Sequence, residues 1–171
     1  MAPLPPSSGL LKIAANLCRQ RLPGQVIVQM TDRCNATCPH CGMRVGNNFQ
    51  RSDLSNDEIK KIIDAAAEKG VEALSFTGGE PLLRLDDLVE LINYAGAAGI
   101  SLIRTGTNGF FMKYKAADDG RFTARVTTIA EKLAATPLRN FWISLDSSIP
   151  ETHENMRGLD GVVEGIEKAL P

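Results

Sequence analysis

The 171-residue sequence has no excess of charge of either sign and no long apolar run. Its 19 lysines and arginines are balanced by 20 aspartates and glutamates, so the composition gives no support for a nucleic-acid partner or a membrane surface. No stretch approaches the ~20 apolar residues that a membrane-spanning helix needs. Residues 1–20 have no charged segment ahead of an apolar one, and we predict no signal peptide.

Cysteine is scarce, with four residues in the whole sequence. Three of them, Cys34, Cys38 and Cys41, fall within eight residues, which is poor spacing for a disulfide framework and good spacing for a metal. We therefore expect a reducing environment and a cytoplasmic location.

No linker rich in glycine or serine divides the sequence. Short strand-like runs alternate with helix-like stretches, which predicts βα units and a parallel sheet, that is, an α/β fold. Because four such units cannot close a barrel of eight, the pattern allows an open sheet or an incomplete barrel. We predict an N-terminal extension over residues 1–24, with a short amphipathic helix at about residues 10–18, and a core domain over residues 25–171. The predicted strands are 26–31, 71–77, 100–105 and 141–146.

The helices are predicted from caps and apolar spacing. Ser55 and Glu58 have the spacing of a capping box ahead of isoleucines at helical intervals, and Gly70 ends that helix. A second helix is predicted to begin at Asp86 or Asp87 and to end near Gly99. A third helix carries the stripe Val126, Ile129, Ala130 and Leu133, and a fourth runs from about Val162 to Leu170.

The connection over residues 106–121 is longer than the usual ~4–6 residues. It carries four large side chains, Phe110, Phe111, Met112 and Tyr114. Two interpretations stay open: a loop on the substrate side, or an insertion that packs its own aromatic side chains on the surface.

The cysteine motif has the form Cys-x3-Cys-x2-Cys and follows the first predicted strand, at the sheet edge where parallel sheets bind ligands. Three thiolates on one loop can hold three irons of a [4Fe-4S] cube and leave the fourth iron without a protein ligand. The same spacing fits one face of a buried helix, although Pro39 and its polar neighbours argue against that. A structural zinc site would need a fourth ligand, from Cys18 or His40.

Two further polar positions follow later strands. Gly78, Gly79 and Glu80 end the second strand, where glycines allow close approach and expose N–H groups, and Glu80 can accept from an ammonium. An ordinary strand-to-helix turn is the alternative. Ser144 and Asp146 lie two apart on the fourth predicted strand and therefore share a face, opposite to Phe141, Ile143 and Leu145.

The Cys34-x3-Cys38-x2-Cys41 loop, followed one βα unit later by Gly78-Gly79-Glu80, resembles the radical S-adenosylmethionine (SAM) superfamily. The resemblance covers the chain from about Val26 onward and implies a partial (β/α)6 barrel, similar to a TIM barrel. It implies a [4Fe-4S] cluster on the three cysteines, reductive cleavage of SAM, and a 5′-deoxyadenosyl radical that abstracts hydrogen from an unidentified substrate. An electron donor such as flavodoxin or ferredoxin is implied as a partner.

By the same resemblance, the SAM-binding residues are His40, Gly78, Gly79, Glu80, Thr107 and Ser144. His40 would lie beside the adenine, Glu80 would belong to the motif that binds the amino group, and Thr107 and Ser144 would contact the methionine carboxylate and the ribose. His40 can instead hydrogen-bond its own loop, and either hydroxyl can instead cap a helix or satisfy a loop.

The residues after Ser144 are similar to a subgroup that contains the molybdenum-cofactor GTP cyclase and peptide- and haem-modifying enzymes. Arg157 and His153 are interpreted as surface residues, which is the ordinary role of a lone arginine or histidine. The alternative for Arg157 is a position beside the cofactor or an ion pair with a carboxylate.

About four βα units are present, so we expect an N-terminal fragment with an exposed apolar sheet edge. The other hypotheses are an iron-sulfur electron-transfer module, with Cys18 as fourth ligand, and a nucleotide-binding open sheet, whose G-x-G-x-x-G fingerprint is absent.

Overall fold

Four short strands form one parallel sheet in the order β1-β2-β3-β4. The computed structural model describes residue 18, residues 24–45 and residues 50–170. The predicted helix at residues 10–18 lies outside the described residues apart from Cys18. The strands are β1 (Gln25–Gln29), β2 (Ala73–Thr77), β3 (Leu102–Thr107) and β4 (Leu138–Ile143). The helices are α1 (Gly42–Val45), α2 (Asn56–Glu68), α3 (Leu85–Ala97), α4 (Asp119–Ala134), α5 (Pro150–Arg157) and α6 (Val162–Ala169).

Each strand is followed by a helix, so the predicted α/β fold with four βα units is confirmed. The strand bounds differ from the predicted ones, most of all for β4, which begins and ends three residues early. The exposed, polar Arg139 and Asn140 hide its start in the sequence. Ser144 and Asp146 therefore follow the strand, and so does Leu145, which is 50% exposed.

The helix caps were predicted with mixed success. The capping box is confirmed: the Ser55 hydroxyl accepts from the Glu58 N–H, and the Glu58 carboxylate accepts from the Ser55 N–H at 2.9 Å. The cap at Asp86 or Asp87 is wrong, because α3 begins at Leu85, directly after a 3-10 turn over Pro81–Arg84. Helix α5 is absent from the sequence prediction, since its residues are largely polar.

The core lies on one face of the sheet. Alternate strand residues, including Val28, Phe76 and Ile103, are buried there against α2 and α3. Side chains of the opposite face include Ile27, which is 65% exposed. Beside β4, one of the two edge strands of the described sheet, an apolar cavity of about 410 Å³ lies against α4 and the end of α6.

The connection between β3 and α4 packs inward. Phe111 and Met112 are 3% and 6% exposed and belong to the core, and Phe110 is half-buried. The surface-insertion interpretation is therefore wrong. None of the connection's four large side chains lines the cavities beside the cysteines, so the substrate-loop interpretation gains no support either. Among the described residues, no helix is long and apolar enough to cross a membrane.

Candidate functional site

The three clustered cysteines lie on the loop between β1 and α1. All three are free thiols; Cys34 is exposed, Cys38 is buried and Cys41 is half-buried. They line a cavity of about 330 Å³ and also a neighbouring cavity of about 500 Å³. The helix-face alternative is wrong, because α1 begins only at Gly42.

No three His, Cys, Asp or Glu side chains among the described residues, Cys18 included, converge to hold one metal ion. This finding counts against the zinc alternative, which needs four ligands around a single ion. The same finding does not count against a [4Fe-4S] cube, because each thiolate of a cube is bonded to a different iron and the sulfurs need not meet at one point. The donor set of three free thiols beside a cavity therefore fits an iron-sulfur cluster.

The segment over residues 51–54 anchors the start of the cysteine loop. Thr31 forms an isolated antiparallel bridge with Asp53, and its hydroxyl donates to the Asp53 carboxylate. Arg33 Nε donates to the same carboxylate at 3.0 Å. These hydrogen bonds hold the pKa of Asp53 below its usual range. The sequence carried no motif for this anchor, because its partners are about twenty residues apart.

The Gly78-Gly79 turn docks against the cysteine loop. A Cβ on Gly78 would lie 2.4 Å from the Thr31 carbonyl oxygen, and one on Gly79 would lie 2.0 Å from the Arg33 carbonyl oxygen. The Gly79 N–H donates to Thr31 O at 2.6 Å and the Glu80 N–H donates to Arg33 O at 2.8 Å. The expectation that the glycine N–H groups are exposed is therefore wrong for Gly79, and the Glu80 N–H is occupied as well. Glycine is required here because two backbones meet.

Glu80 joins the ends of β2 and β3. Its carboxylate is 1% exposed and accepts from the Asn108 N–H at 2.7 Å and from the Leu82 N–H at 3.0 Å. The Thr107 hydroxyl is a further partner. Burial raises the pKa of Glu80, and these hydrogen bonds oppose that rise. No cation is paired with this carboxylate in the described part of the chain.

Asn108 reaches from the end of β3 to the cysteine loop, a contact that the sequence did not reveal. Its side-chain nitrogen lies 3.6 Å from Cys34 Sγ and donates to Asn35 Oδ1 at 2.9 Å. The Ala36 N–H also donates to Cys34 Sγ, at 3.4 Å. Desolvation raises the pKa of the Cys34 thiol, while the hydrogen bonds from the Ala36 N–H and the Asn108 side chain lower it. The Cys34 sulfur is thus held in place by two neighbouring N–H groups.

Thr107 and Ser144 lie side by side at the ends of β3 and β4. The Ser144 N–H donates to Thr107 O at 2.8 Å, and the Thr107 hydroxyl accepts from the Gly109 N–H at 3.1 Å. The structure brings the two residues and the cysteines to one cavity, with His40, Gly78, Gly79 and Glu80. Trp142 also lines this cavity, although nothing in the sequence singled it out as a site residue.

Arg157 and His153 are not surface residues, so both surface predictions are wrong. His153 is fully buried, and its Nδ1 accepts from the Asp146 N–H at 3.2 Å. Arg157 forms a two-pronged ion pair with Asp146, with N–O distances of 2.6 and 2.7 Å. Arg157 also lines the 330 Å³ cavity. A lone charged residue gives no sign in sequence that a partner eleven residues away will bury it.

Comparison with known proteins gives a consistent result. The family model described as the Radical SAM superfamily matches residues 28–170. The AdoMet-dependent heme synthase of Methanosarcina barkeri is 33% identical over 149 residues, which cover 85% of this chain and 38% of that protein. The GTP 3′,8-cyclase of Lactiplantibacillus plantarum is 42% identical over 155 residues, or 87% of this chain and 42% of that protein. The chain thus spans less than half the length of these relatives.

Two solved structures share the fold at low sequence identity. SuiB of Streptococcus suis, solved with bound S-adenosylmethionine, superposes with a TM-score of 0.59 at 17% identity, over 96% of this chain and 35% of that one. HydG, a maturase of the [FeFe]-hydrogenase, superposes with a TM-score of 0.56 at 15% identity, over 85% of this chain and 32% of that one.

Proposed function

The chain belongs to the radical SAM superfamily, and on that premise we propose that Cys34, Cys38 and Cys41 hold a [4Fe-4S] cluster beside a SAM site. When bound, the cluster would supply the electron that cleaves SAM to methionine and a 5′-deoxyadenosyl radical, which abstracts hydrogen from a substrate. Flavodoxin or ferredoxin is the proposed electron donor. The protein's own share of this chemistry is to bind, to orient and to exclude competing reactions.

The observation that carries the proposal is the single cavity of about 330 Å³ lined by all three cysteines together with His40, Gly78, Gly79, Glu80, Thr107 and Ser144. Its volume falls in the range of ~300–1,000 Å³ that is usual for small-ligand sites. Six residues from four separate chain segments line it with the thiols. We propose these six as the SAM-binding residues.

The charges and hydrogen-bonding groups of the cavity suit the amino-acid end of SAM. Glu80 presents a buried carboxylate without a cation among the described residues, so an ammonium group would complete it. The Ser144 hydroxyl makes no hydrogen bond within the described part of the chain and is available to donate to a carboxylate. His40 also lines the cavity and offers an imidazole beside the ligand.

The test is anaerobic reconstitution with iron and sulfide, followed by EPR of the reduced protein with and without SAM. We expect about four irons per chain, as one cube requires, and a spectrum that SAM alters. Single Cys→Ala variants at positions 34, 38 and 41 should lose the cluster. A spectrum unchanged by SAM would overturn the proposal and favour an electron-transfer module.

Cys18→Ala is the matched control for those three variants. Cys18 is exposed and lines neither cavity beside the cysteine loop. Its loss should leave the iron content unchanged. Loss of iron in this variant would instead support the alternative in which Cys18 is a fourth ligand.

The relatives do not identify the substrate of this chain. The relatives named as a heme synthase and as a GTP cyclase match this chain at 33% and 42% identity, and each covers most of it. The shared segment is therefore common to proteins named for different activities. We propose that it carries radical generation in each.

A further inference from the structure

Arg157 is attached to the cysteine loop by its backbone and by its side chain. Its carbonyl oxygen accepts from the Thr37 N–H at 2.7 Å, and its Nη1 lies 3.9 Å from Cys38 Sγ. We propose that Arg157 is a positioning residue that holds a positive charge against the Cys38 thiolate and thereby raises the reduction potential of the cluster. This inference rests on the proposed function, because it presupposes a cluster on Cys38.

The guanidinium is fixed from the side opposite to the sulfur. Nε and Nη2 both donate to the Asp146 carboxylate, which leaves Nη1 as the nitrogen directed at Cys38. The Arg157 and Asp146 side chains are only 16% and 24% exposed. The geometry is that of a bidentate arginine–carboxylate pair, whose planar fork holds its orientation better than a lysine ammonium would.

Asp146 is itself held by α5. Its backbone N–H donates to Nδ1 of the buried His153, which lies on the same helix as Arg157. Helix α5 therefore carries both the guanidinium and a support for its carboxylate partner. The helix ends where the cysteine loop packs on it: a Cβ on Gly158, whose φ is 65°, would lie 1.8 Å from Thr37 Oγ1. The positive φ and the Thr37 side chain packed against this position both favour glycine there.

A cation beside the cluster shifts the reduction potential in a definite direction. Reduction adds one negative charge to the cluster and its thiolates, and a nearby cation stabilises the more negative state. Hydrogen bonds to cluster sulfurs and solvent exposure are known levers on such potentials. The Asp146 charge offsets part of the effect, but it lies on the far side of the guanidinium from Cys38 Sγ. The net expectation is a higher potential with Arg157 than without it.

A purely structural role makes a different prediction. If Arg157 only ties α5 to the cysteine loop, its loss changes stability and cluster retention but leaves the potential of the cluster that remains unchanged. The potential therefore separates the two roles.

The experiment is EPR-monitored redox titration of the reconstituted full chain and of three variants. In Arg157→Gln the potential should fall, shifting the oxidised-to-reduced ratio about tenfold at a fixed applied potential, which is ~59 mV for a one-electron couple. Arg157→Lys keeps the charge and should recover at least half of that shift. Arg121→Gln removes the same charge from a side chain that is 85% exposed, and it should leave the potential unchanged.

A second measurement does not depend on Arg157→Gln. Wild-type protein and Arg157→Lys are produced with ¹⁵N-arginine, reconstituted and reduced, and examined by pulsed EPR for a ¹⁵N coupling to the cluster. Because Arg33 and Arg51 also line a cavity with the three cysteines, only a coupling that Arg157→Lys abolishes supports the inference. No coupling, or an Arg157→Gln cluster with the wild-type potential, overturns it and leaves the proposed function standing. A wild-type chain that binds no cluster overturns both.

Discussion

The Glu80 carboxylate accepts a hydrogen bond of 2.7 Å from the Asn108 N–H, and this buried contact fixes the turn after β2 to the end of β3. The same Asn108 lies 3.6 Å from Cys34 Sγ through its side-chain nitrogen. One carboxylate, one amide and one thiol therefore form a continuous chain of contacts across the cavity. The stability of the turn and the position of the first cysteine are linked through it.

Replacing Glu80 should consequently affect more than ligand binding. Glu80→Ala leaves two buried N–H groups, of Leu82 and Asn108, without an acceptor, and each costs about 1–3 kcal/mol. Glu80→Gln keeps one acceptor oxygen and should cost less. Urea unfolding of the chain without iron measures the difference. Equal stabilities of the wild type and Glu80→Ala would show that the carboxylate does not hold the turn.

Gly79→Ala should prevent the cysteine loop from docking. The added Cβ would lie 2.0 Å from the Arg33 carbonyl oxygen, a backbone atom that cannot move without displacing Cys34. We expect most of the bound iron to be lost in the reconstituted variant. Gly120→Ala is the control, since nothing lies within 4 Å of its new Cβ and the residue lies in the first turn of helix α4, away from the cysteine loop. Iron content and thermal unfolding are measured for both, and an iron-replete Gly79→Ala protein would contradict the steric argument.

The buried His153 predicts a pH dependence of stability. Burial lowers the pKa of His153 in the folded chain, while Asp146 and Glu154 raise it and Arg157 lowers it further. Because the unfolded chain, with a histidine pKa of ~6.5, then binds more protons, stability should fall as the pH drops below ~6.5. Thermal unfolding between about pH 7.5 and pH 5.5 measures this, in a window above the usual carboxylate pKa values.

His153→Asn is the control for that pH dependence. Asparagine can offer an oxygen to the Asp146 N–H near the place of Nδ1, but it has no proton to gain in this range. The variant should be less stable than the wild type at neutral pH, because a smaller side chain leaves a cavity. Its stability should nevertheless change less between pH 7.5 and pH 5.5. A slope as steep as that of the wild type would assign the effect to another group.

The parts of the site that could be predicted are those whose residues are close in sequence. The cysteine loop, the Gly-Gly-Glu turn and the Ser55–Glu58 capping box each lie within eight residues, so each motif can be recognised from the spacing of its residues alone. Four βα units were visible for the same reason, since periodicity is a local property.

The parts that could not be predicted depend on contacts between distant segments. Helix α5 is polar and short, and the buried His153 is in contact with the loop after β4, where the Asp146 N–H donates to its Nδ1. Asn108 is an ordinary residue after a strand until the fold brings Cys34 to it. The glycines after β2 were correctly identified as important, but the reason given for them, exposed N–H groups, was wrong for Gly79. The structure shows that the N–H of Gly79 is occupied by the cysteine loop.

Ser144 provides the sharpest test of the proposed SAM site, because its hydroxyl has no structural task within the described part of the chain. Ser144→Ala should therefore fold and bind iron as the wild type does. If the hydroxyl donates to the SAM carboxylate, its loss should weaken SAM binding by about 1.5–3 kcal/mol, or roughly 10- to 150-fold.

Thr107→Val is the informative companion, since the Thr107 hydroxyl accepts from the Gly109 N–H and contacts Glu80. That variant should lose stability as well as affinity, because a buried N–H is left without its acceptor. Isothermal titration of the reconstituted proteins with SAM, beside urea unfolding of the iron-free chains, separates the two effects. Unchanged SAM affinity in Ser144→Ala would show that Ser144 does not contact SAM. A loss of affinity without a loss of stability would instead support a direct contact between the hydroxyl and SAM.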